Sequence, residues 1–185
     1  KEEELSKVIR LEFRKGAEDS IITAEDLEKF TGLKELAVDE SEKLAGINLN
    51  GNKTLQSVTV FDCPALEKIY AESCTALVLL GASKCPKLAD INVDGCQSLE
   101  TLWLDGSAVT KLDLSGSEFA NVSNIDVAGC TSLDVLNVDG CKALSDLYAP
   151  YTAVTELNLS NNPELTGVFL NQTKVSTLDL SKNTK

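Results

Sequence analysis

From Leu33 onward the chain repeats one pattern of apolar and polar positions, L-x-x-L-x-L-x-x-C-x-x. Leu88-Ala-Asp-Ile91-Asn-Val93-Asp-Gly-Cys96 and Leu133-Asp-Val-Leu136-Asn-Val138-Asp-Gly-Cys141 are two copies. Units begin at Leu33, Leu44, Leu55, Leu66, Leu77, Leu88, Leu99, Val109, Val122, Leu133, Leu144, Val154, Leu165 and Val175, 14 in all. Most are 11 residues long; those at Leu99, Leu144 and Leu165 shorten to 10, and one lengthens to 13 through Ser117-Glu118-Phe119-Ala120. The fourth and sixth positions are apolar and alternate with polar ones, which predicts a short strand with one buried face.

The turn after each strand has its own code. Position 8 is glycine at Gly51, Gly95, Gly106, Gly116, Gly129 and Gly140, which predicts a left-handed backbone there. Position 9 is Cys, Ser, Thr or Asn throughout. A small polar side chain at that place points inward and hydrogen-bonds the turn backbone, and cysteine does so as a small hydrophobe with a weak donor. Two unlike half-units make one coil of 21–22 residues, the length of a leucine-rich repeat. The expected fold is a leucine-rich-repeat solenoid, in the α/β class but mostly parallel β. About seven coils stack at strand spacing into a rod on the order of 30 Å long. Each coil's apolar row is covered only by its neighbours, so stability is shared along the array and the ends need caps.

Residues 1–32 are expected to form the N-terminal cap and residues 33–185 the repeat array. Thr23-Ala-Glu-Asp26-Leu27-Glu-Lys-Phe30 reads as a short helix over 23–30, with Thr23 as N-cap and acidic residues in the first turn. Before it, Ile9-Arg-Leu11-Glu-Phe13-Arg alternates and favours a strand over a helix through Leu5, Val8 and Ile9. The array stops in mid-coil at Lys185. That predicts a final apolar edge covered by a partner or by further domains of the same chain.

Composition narrows the function. Aromatics are 5%, methionine is absent, and the net charge is −12. Small branched aliphatics must fill the core, and so acidic a surface disfavours nucleic acid and anionic lipid as partners. There is no histidine, the commonest general base and metal ligand. No apolar run is long enough to span a membrane. No signal-peptide pattern opens the chain at Lys1-Glu2-Glu3-Glu4; an exported protein would have lost it.

The cysteines Cys63, Cys74, Cys85, Cys96, Cys130 and Cys141 follow the repeat, with four of five gaps equal to 11 and the fifth to 34. No Cys-x-x-Cys pair exists, which argues against zinc. Neighbours in one column, such as Cys63 with Cys85, stand about one strand spacing apart, within disulfide reach. Parallel inward stacking seldom gives the required dihedral, so a structural ladder of buried free thiols is expected. Sealed from oxidant, such thiols are compatible with export.

Two outer columns project between the fourth and sixth positions. One is Asn48, Tyr70, Asn92, Asp113, Asn137, Asn158, Asp179, nearly uniform and polar, which reads as a solvated ladder. The other is Ala37, Thr59, Gly81, Trp103, Asp126, Tyr148, Phe169, which varies and carries large rings, with Phe61, Pro150 and Tyr151 close by. Trp and Tyr are enriched at binding hot spots, and an outward ring has no packing duty. The competing reading is that the rings pack on one another or on a neighbouring domain. Trp103, Tyr148, Phe169, Phe61, Tyr151 and Asp126 are the candidate binding residues, and the acids Asp105, Asp126 and Asp146 favour cationic or hydroxyl-rich ligands.

Val109-Thr-Lys-Leu-Asp-Leu-Ser-Gly-Ser117, Val154-Thr-Glu-Leu-Asn-Leu-Ser-Asn-Asn162 and Val175-Ser-Thr-Leu-Asp-Leu-Ser-Lys-Asn183 resemble the LTxLDLSxN half-repeats of bacterial surface leucine-rich-repeat proteins. These are the internalin-type proteins with cysteine ladders and their relatives in gut anaerobes. Ile22-Thr-Ala-Glu-Asp-Leu-Glu-Lys-Phe-Thr-Gly-Leu33 is similar to the cap helix before such repeats. The resemblance covers roughly residues 21–185. The chain departs from it in using Cys or Ser where Asn usually ends the half-unit, in the bulge at Glu118-Phe119-Ala120, and before Ile21.

The resemblance implies an exported or surface-attached module that binds a protein or glycan on the strand face lining the curve, the aromatic half of the coil. The alternative is a structural spacer within a larger surface protein. No catalytic role and no cofactor are expected. Asp113, Asp126 and Asp179 do not cluster with a basic residue as hydrolytic sites require. Asp94, Asp105 and Asp139 stand before glycines as turn residues, with too few carboxylates in register for calcium.

Overall fold

The computed structural model describes residues 2–14 and 21–185. Residues 1 and 15–20, within the expected cap, lie outside the described residues. A short helix α1 (Glu2–Leu5) precedes strand β1 (Arg10–Arg14), strand β2 (Ile21–Thr23) and helix α2 (Ala24–Leu27). Both α1 and β1 are present: Leu5 ends the helix, Val8 and Ile9 lie in the connection, and the strand begins at Arg10.

The repeats follow as β3 (Glu35–Asp39), β4 (Gly46–Asn48), β5 (Ser57–Phe61), β6 (Lys68–Tyr70), β7 (Leu79–Ser83), β8 (Asp90–Asn92), β9 (Thr101–Trp103) and β10 (Lys111–Asp113). A 3-10 turn at Ser117–Phe119 then precedes β11 (Asn124–Asp126), β12 (Val135–Asn137), β13 (Asp146–Tyr148) and β14 (Gly167–Phe169). Helix α2 is shorter than the expected 23–30. Thr23 caps it: the Asp26 backbone N–H donates to Thr23 Oγ1, and the Asp26 carboxylate accepts from the Thr23 backbone N–H at 2.8 Å. It stops after one turn because the Phe30 and Leu33 N–H groups turn to the carbonyls three residues back, at 2.9 Å each. That tighter pattern leads the chain into β3.

Alternate strands fall on two flanks. One flank is an eight-stranded parallel sheet in the order β1-β3-β5-β7-β9-β11-β13-β14. The other holds a four-stranded sheet, β2-β4-β6-β8, and a separate two-stranded one, β10-β12. The N-terminal strands β1 and β2 pair with β3 and β4, so the leading segment is laid down as one more coil. Between the flanks, first, fourth and sixth positions form one continuous core, with Leu44, Leu66, Leu88, Leu99 and Leu144 fully buried. At roughly 1.5–3 kcal/mol for each fully buried aliphatic side chain, this apolar column is the main support of the stack.

The two flanks are unequally bonded. The eight-stranded flank is unbroken, while the other opens between β8 and β10 and again after β12. A cleft of about 340 Å³ lined by Tyr70, Asp90, Asn92, Lys111 and Asp113 marks the first opening. One of about 710 Å³ lined by Asn137, Glu156, Asn158 and Lys174 marks the second. The half-coils starting at Val154 and Val175 carry no strand pairing among the described residues. A stack held at strand spacing on one flank and opened on the other must bend toward the closed flank. The eight-stranded sheet therefore lines the inner side of the curve from β8 onward.

The position-9 residues bind the coils together. Cys74, Cys96 and Cys130 donate their thiols to the carbonyls of Leu49, Ala71 and Leu104, one coil back, at 3.0, 3.1 and 3.0 Å. Asn162 does the same with its amide toward Val138 and Cys141, at 2.9 and 2.7 Å. All six cysteines are buried free thiols. The glycine expectation needs correction. Gly51, Gly95, Gly106 and Gly129 have positive φ, but Gly116 does not (φ −67), and Glu40, Asp62, Ser73, Lys84, Tyr151 and Gln172 adopt the left-handed turn without being glycine. Gly140 is also absent from the positive-φ glycines. It serves close approach instead, since a Cβ there would collide with the carbonyl oxygens of Gly116 and Leu114.

Candidate functional site

The eight-stranded sheet has an inward face that joins the core and an outward face that does not. Register fixes what stands outward. Trp103 lies between Gly81 and Asp126, and Tyr148 between Asp126 and Phe169. The central outward row is therefore Ala37, Thr59, Gly81, Trp103, Asp126, Tyr148, Phe169 on seven successive strands.

Each ring is held by identifiable neighbours. Trp103 is 38% exposed. Its indole spreads over the bare backbone of Gly81, with Cε3 3.4 Å from where a Cβ there would be, and its Nε1–H donates to Asn124 Oδ1 at 2.9 Å. Tyr148 and Phe169 stack face to face, ring centres 4.5 Å apart and 5° from parallel. Gly167 leaves room below them, since a Cβ there would press on the Asp146 carboxylate and on the Phe169 ring at 3.3 Å.

Asp126 is half-buried between these groups. Its Oδ1 accepts the Ala128 backbone N–H at 2.9 Å. Burial pushes its carboxyl above the ordinary range, against the opposing pull of that N–H and with help from Asp105. Asp105 accepts from Ser83 Oγ at 2.6 Å and Asp146 from Ser145 Oγ at 2.7 Å. None of the ion pairs among the described residues involves Asp105, Asp126 or Asp146.

Two candidates stand apart from this group. Phe61 ends β5 in the next outward column, in register with Ser83, and is exposed with the Lys84 ammonium 4.9 Å from its ring centre. Tyr151 occupies the left-handed turn after β13 (φ 60) and is 60% exposed, at the rim of the sheet. Trp103, Asp126, Tyr148 and Phe169 thus form one row, with Phe61 and Tyr151 outside it. Gly81 stood beside Trp103 in the column read from sequence, but its role under the indole was not read there, and Asn124 was not singled out at all. The signal for Asn124 was register: it stands two residues before Asp126, opposite Thr101, within reach of the indole N–H.

The opposite column behaves differently. Asn48, Asn92, Asn137 and Asn158 each accept with Oδ1 from the backbone N–H two residues on, at 3.2, 2.8, 3.1 and 3.1 Å. Asp113 and Asp179 do likewise, at 3.3 and 2.8 Å. Those turn bonds account for the polar ladder. Among the described residues no group of three or more Cys, Asp or Glu is placed to hold a metal ion.

The chain is a leucine-rich-repeat solenoid of about seven coils. Solved structures with this fold include the functional domain of InlJ from Listeria monocytogenes, described as including a cysteine ladder (18% identity, TM-score 0.57, 96% of this chain and 42% of that one). Internalin C2 from Listeria monocytogenes (14%, TM-score 0.63, 99% and 80%) is also similar. So is the leucine-rich-repeat domain of the type III effector XopL (16%, TM-score 0.58, 92% and 71%). At these identities the likeness is one of fold, and the chain spans less than half of the InlJ domain. No protein-family model and no curated protein matches the chain. No helix among the described residues is long and apolar enough to cross a membrane.

Proposed function

We propose that this chain is a non-catalytic binding module of an exported or surface-displayed bacterial protein, and that it engages a protein partner on the outward face of the eight-stranded sheet. The observation that carries this is the row on that face in which Trp103 and Phe169 are exposed and Tyr148, half-buried, stands stacked on Phe169. The matching row on the other flank is polar and occupied by turn bonds. Solenoids of stacked repeats use their extended concave surfaces for binding, and aromatic anchors dominate such interfaces. The expectation of export rests on the internalin-like fold and on buried thiols that an oxidising compartment would leave untouched.

The test is a protein array and a glycan array, each probed with the soluble chain and with Trp103→Ala/Tyr148→Ala. Retention on protein features that falls by about 30-fold or more in the double variant, with an unchanged melting temperature, is the expected result. Retention that survives the double substitution places binding elsewhere. Silence on both arrays favours the spacer role.

A further inference from the structure

The row of rings has a gap. Trp103 and Tyr148 stand on β9 and β13, and the strand between them carries Asp126 instead of a ring. Two strand spacings separate the flanking positions, about 9–10 Å. The Trp103 indole spans from Gly81, under its Cε3 edge, to Asn124 of β11, where its Nε1–H is bonded two residues before Asp126, and so bounds the gap on that side. One face of Tyr148 is covered by Phe169 in parallel stacking, so its other face is turned across β11, over Asp126. The result is a slot one strand wide with a flat aromatic wall, a carboxylate at its floor and an indole at its far side.

The charge at the floor has no structural duty. Asp126 makes the same turn bond that Asn48, Asn92, Asn137 and Asn158 make on the other flank, so a neutral asparagine would serve the turn equally. A carboxylate is kept there although it is half-buried and has no cation beside it. The outward positions of β9, β11, β13 and β14, with the residues two before and two beyond each, hold Asp105, Asp126 and Asp146 and no Lys or Arg. The face is thus complementary to a cation, and the remaining carboxylate oxygen is open to it.

We propose that this slot binds an arginine side chain of the partner protein. The inference rests on the binding-face reading above and names what that face recognises. A guanidinium is planar, so it stacks on the free face of Tyr148 in continuation of the Phe169–Tyr148 pair. It presents its N–H fork to the Asp126 carboxylate beneath. Lysine offers the charge without the plane, and citrulline the plane without the charge. The arginine stem lies across Trp103 as an apolar chain.

The experiment is selection of a random dodecapeptide display library on the wild-type chain, followed by binding of the recovered peptides to Asp126→Asn. Asparagine preserves the Ala128 turn bond, so the variant folds, as circular dichroism and melting will verify. We expect one arginine at a fixed place in the selected peptides. Binding should weaken about tenfold or more when it is replaced by lysine or citrulline, and by a similar factor in Asp126→Asn. Peptides that lack arginine, or that bind Asp126→Asn as tightly as the parent, overturn the slot. If those peptides still lose binding to Trp103→Ala/Tyr148→Ala, the face stands and only the slot falls. If no selected peptide depends on Trp103 and Tyr148, both readings fall.

Discussion

At the scale of single residues, the same side chain serves opposite ends on the two flanks. An Asx residue between two apolar strand positions ties the turn after it. On the outer flank it is mostly Asn, and nothing else is asked of it. At Asp126 the turn is tied and a charge is left over, with burial lifting its carboxyl above the ordinary range. A carboxyl whose folded value lies above its unfolded one opposes folding once it ionises. That burden is present above the folded value and vanishes below the unfolded one. Asp126→Asn should therefore raise the melting temperature at pH 7, with the gain shrinking toward pH 3. An unchanged or lower melting temperature at pH 7 would contradict this account.

The thiols obey the same logic at the other end of the scale. Burial pushes Cys85, Cys96 and Cys141 from the ordinary 9.0 up to about 12. Unfolded thiols lose their protons from about pH 9 while these folded ones keep theirs, so stability is full below that pH and is lost as pH rises from about 9 to 12. Urea unfolding at pH 8, 9 and 10 should show that decline, and a variant with all three changed to alanine should show a shallower one. Native protein should stay unreactive to a thiol reagent until urea exposes it.

At the scale of elements, the irregular unit is the informative one. The two additional residues at Ser117–Ala120 form a 3-10 turn that drives Phe119 into the core, where it is 2% exposed. It is the largest side chain among those fully buried. The bulge is a packing device that fills the coil between β10 and β11. Phe119→Ala should cost about 3–5 kcal/mol in chemical unfolding, far more than the exposed Phe61→Ala. A loss under 1 kcal/mol would mean that the bulge collapses freely and has no packing duty. The period of 11 was legible because burial repeats strictly along the array. The use of the bulge was not, because a single insertion carries no periodic signal. The helix bounds were misjudged for a related reason: the acidic pattern suits a longer helix, but the chain must turn into β3.

For the whole molecule, the contrast between flanks governs both shape and motion. From β8 onward the inner flank keeps its ladder, while the outer flank keeps only the β10–β12 pair. Amide hydrogen exchange should separate the two within one coil. The Tyr148 carbonyl accepts from Val127 at 2.8 Å and the Ala149 N–H donates to Phe169 at 2.9 Å, so this segment is tied to both neighbours. Among the described residues the backbone N–H groups of Glu156 to Leu159 make no such bond. Exchange at Glu156–Leu159 should be faster than at Asp146–Ala149 by about tenfold or more. Equal protection would mean that the outer flank is closed and the curve is not built this way.

The sequence by itself determined the coil. A burial pattern of period 11 forces strand, turn and inward polar residue into fixed places, and local order along the chain is enough to read it. It also determined which residues share the inner row, because one residue per coil faces outward at each strand position. The stack alone decided what that row can do. Gly81 lies beneath Trp103, Asn124 beside it, and Asp126 in the gap before Tyr148, each 21–23 residues from its neighbour in the chain. Such contacts run across coils, and their orientation depends on how the rings lean, which no spacing encodes. Likewise the bend follows from ladder bonds that fail on one flank, a property of coil against coil rather than of any single repeat.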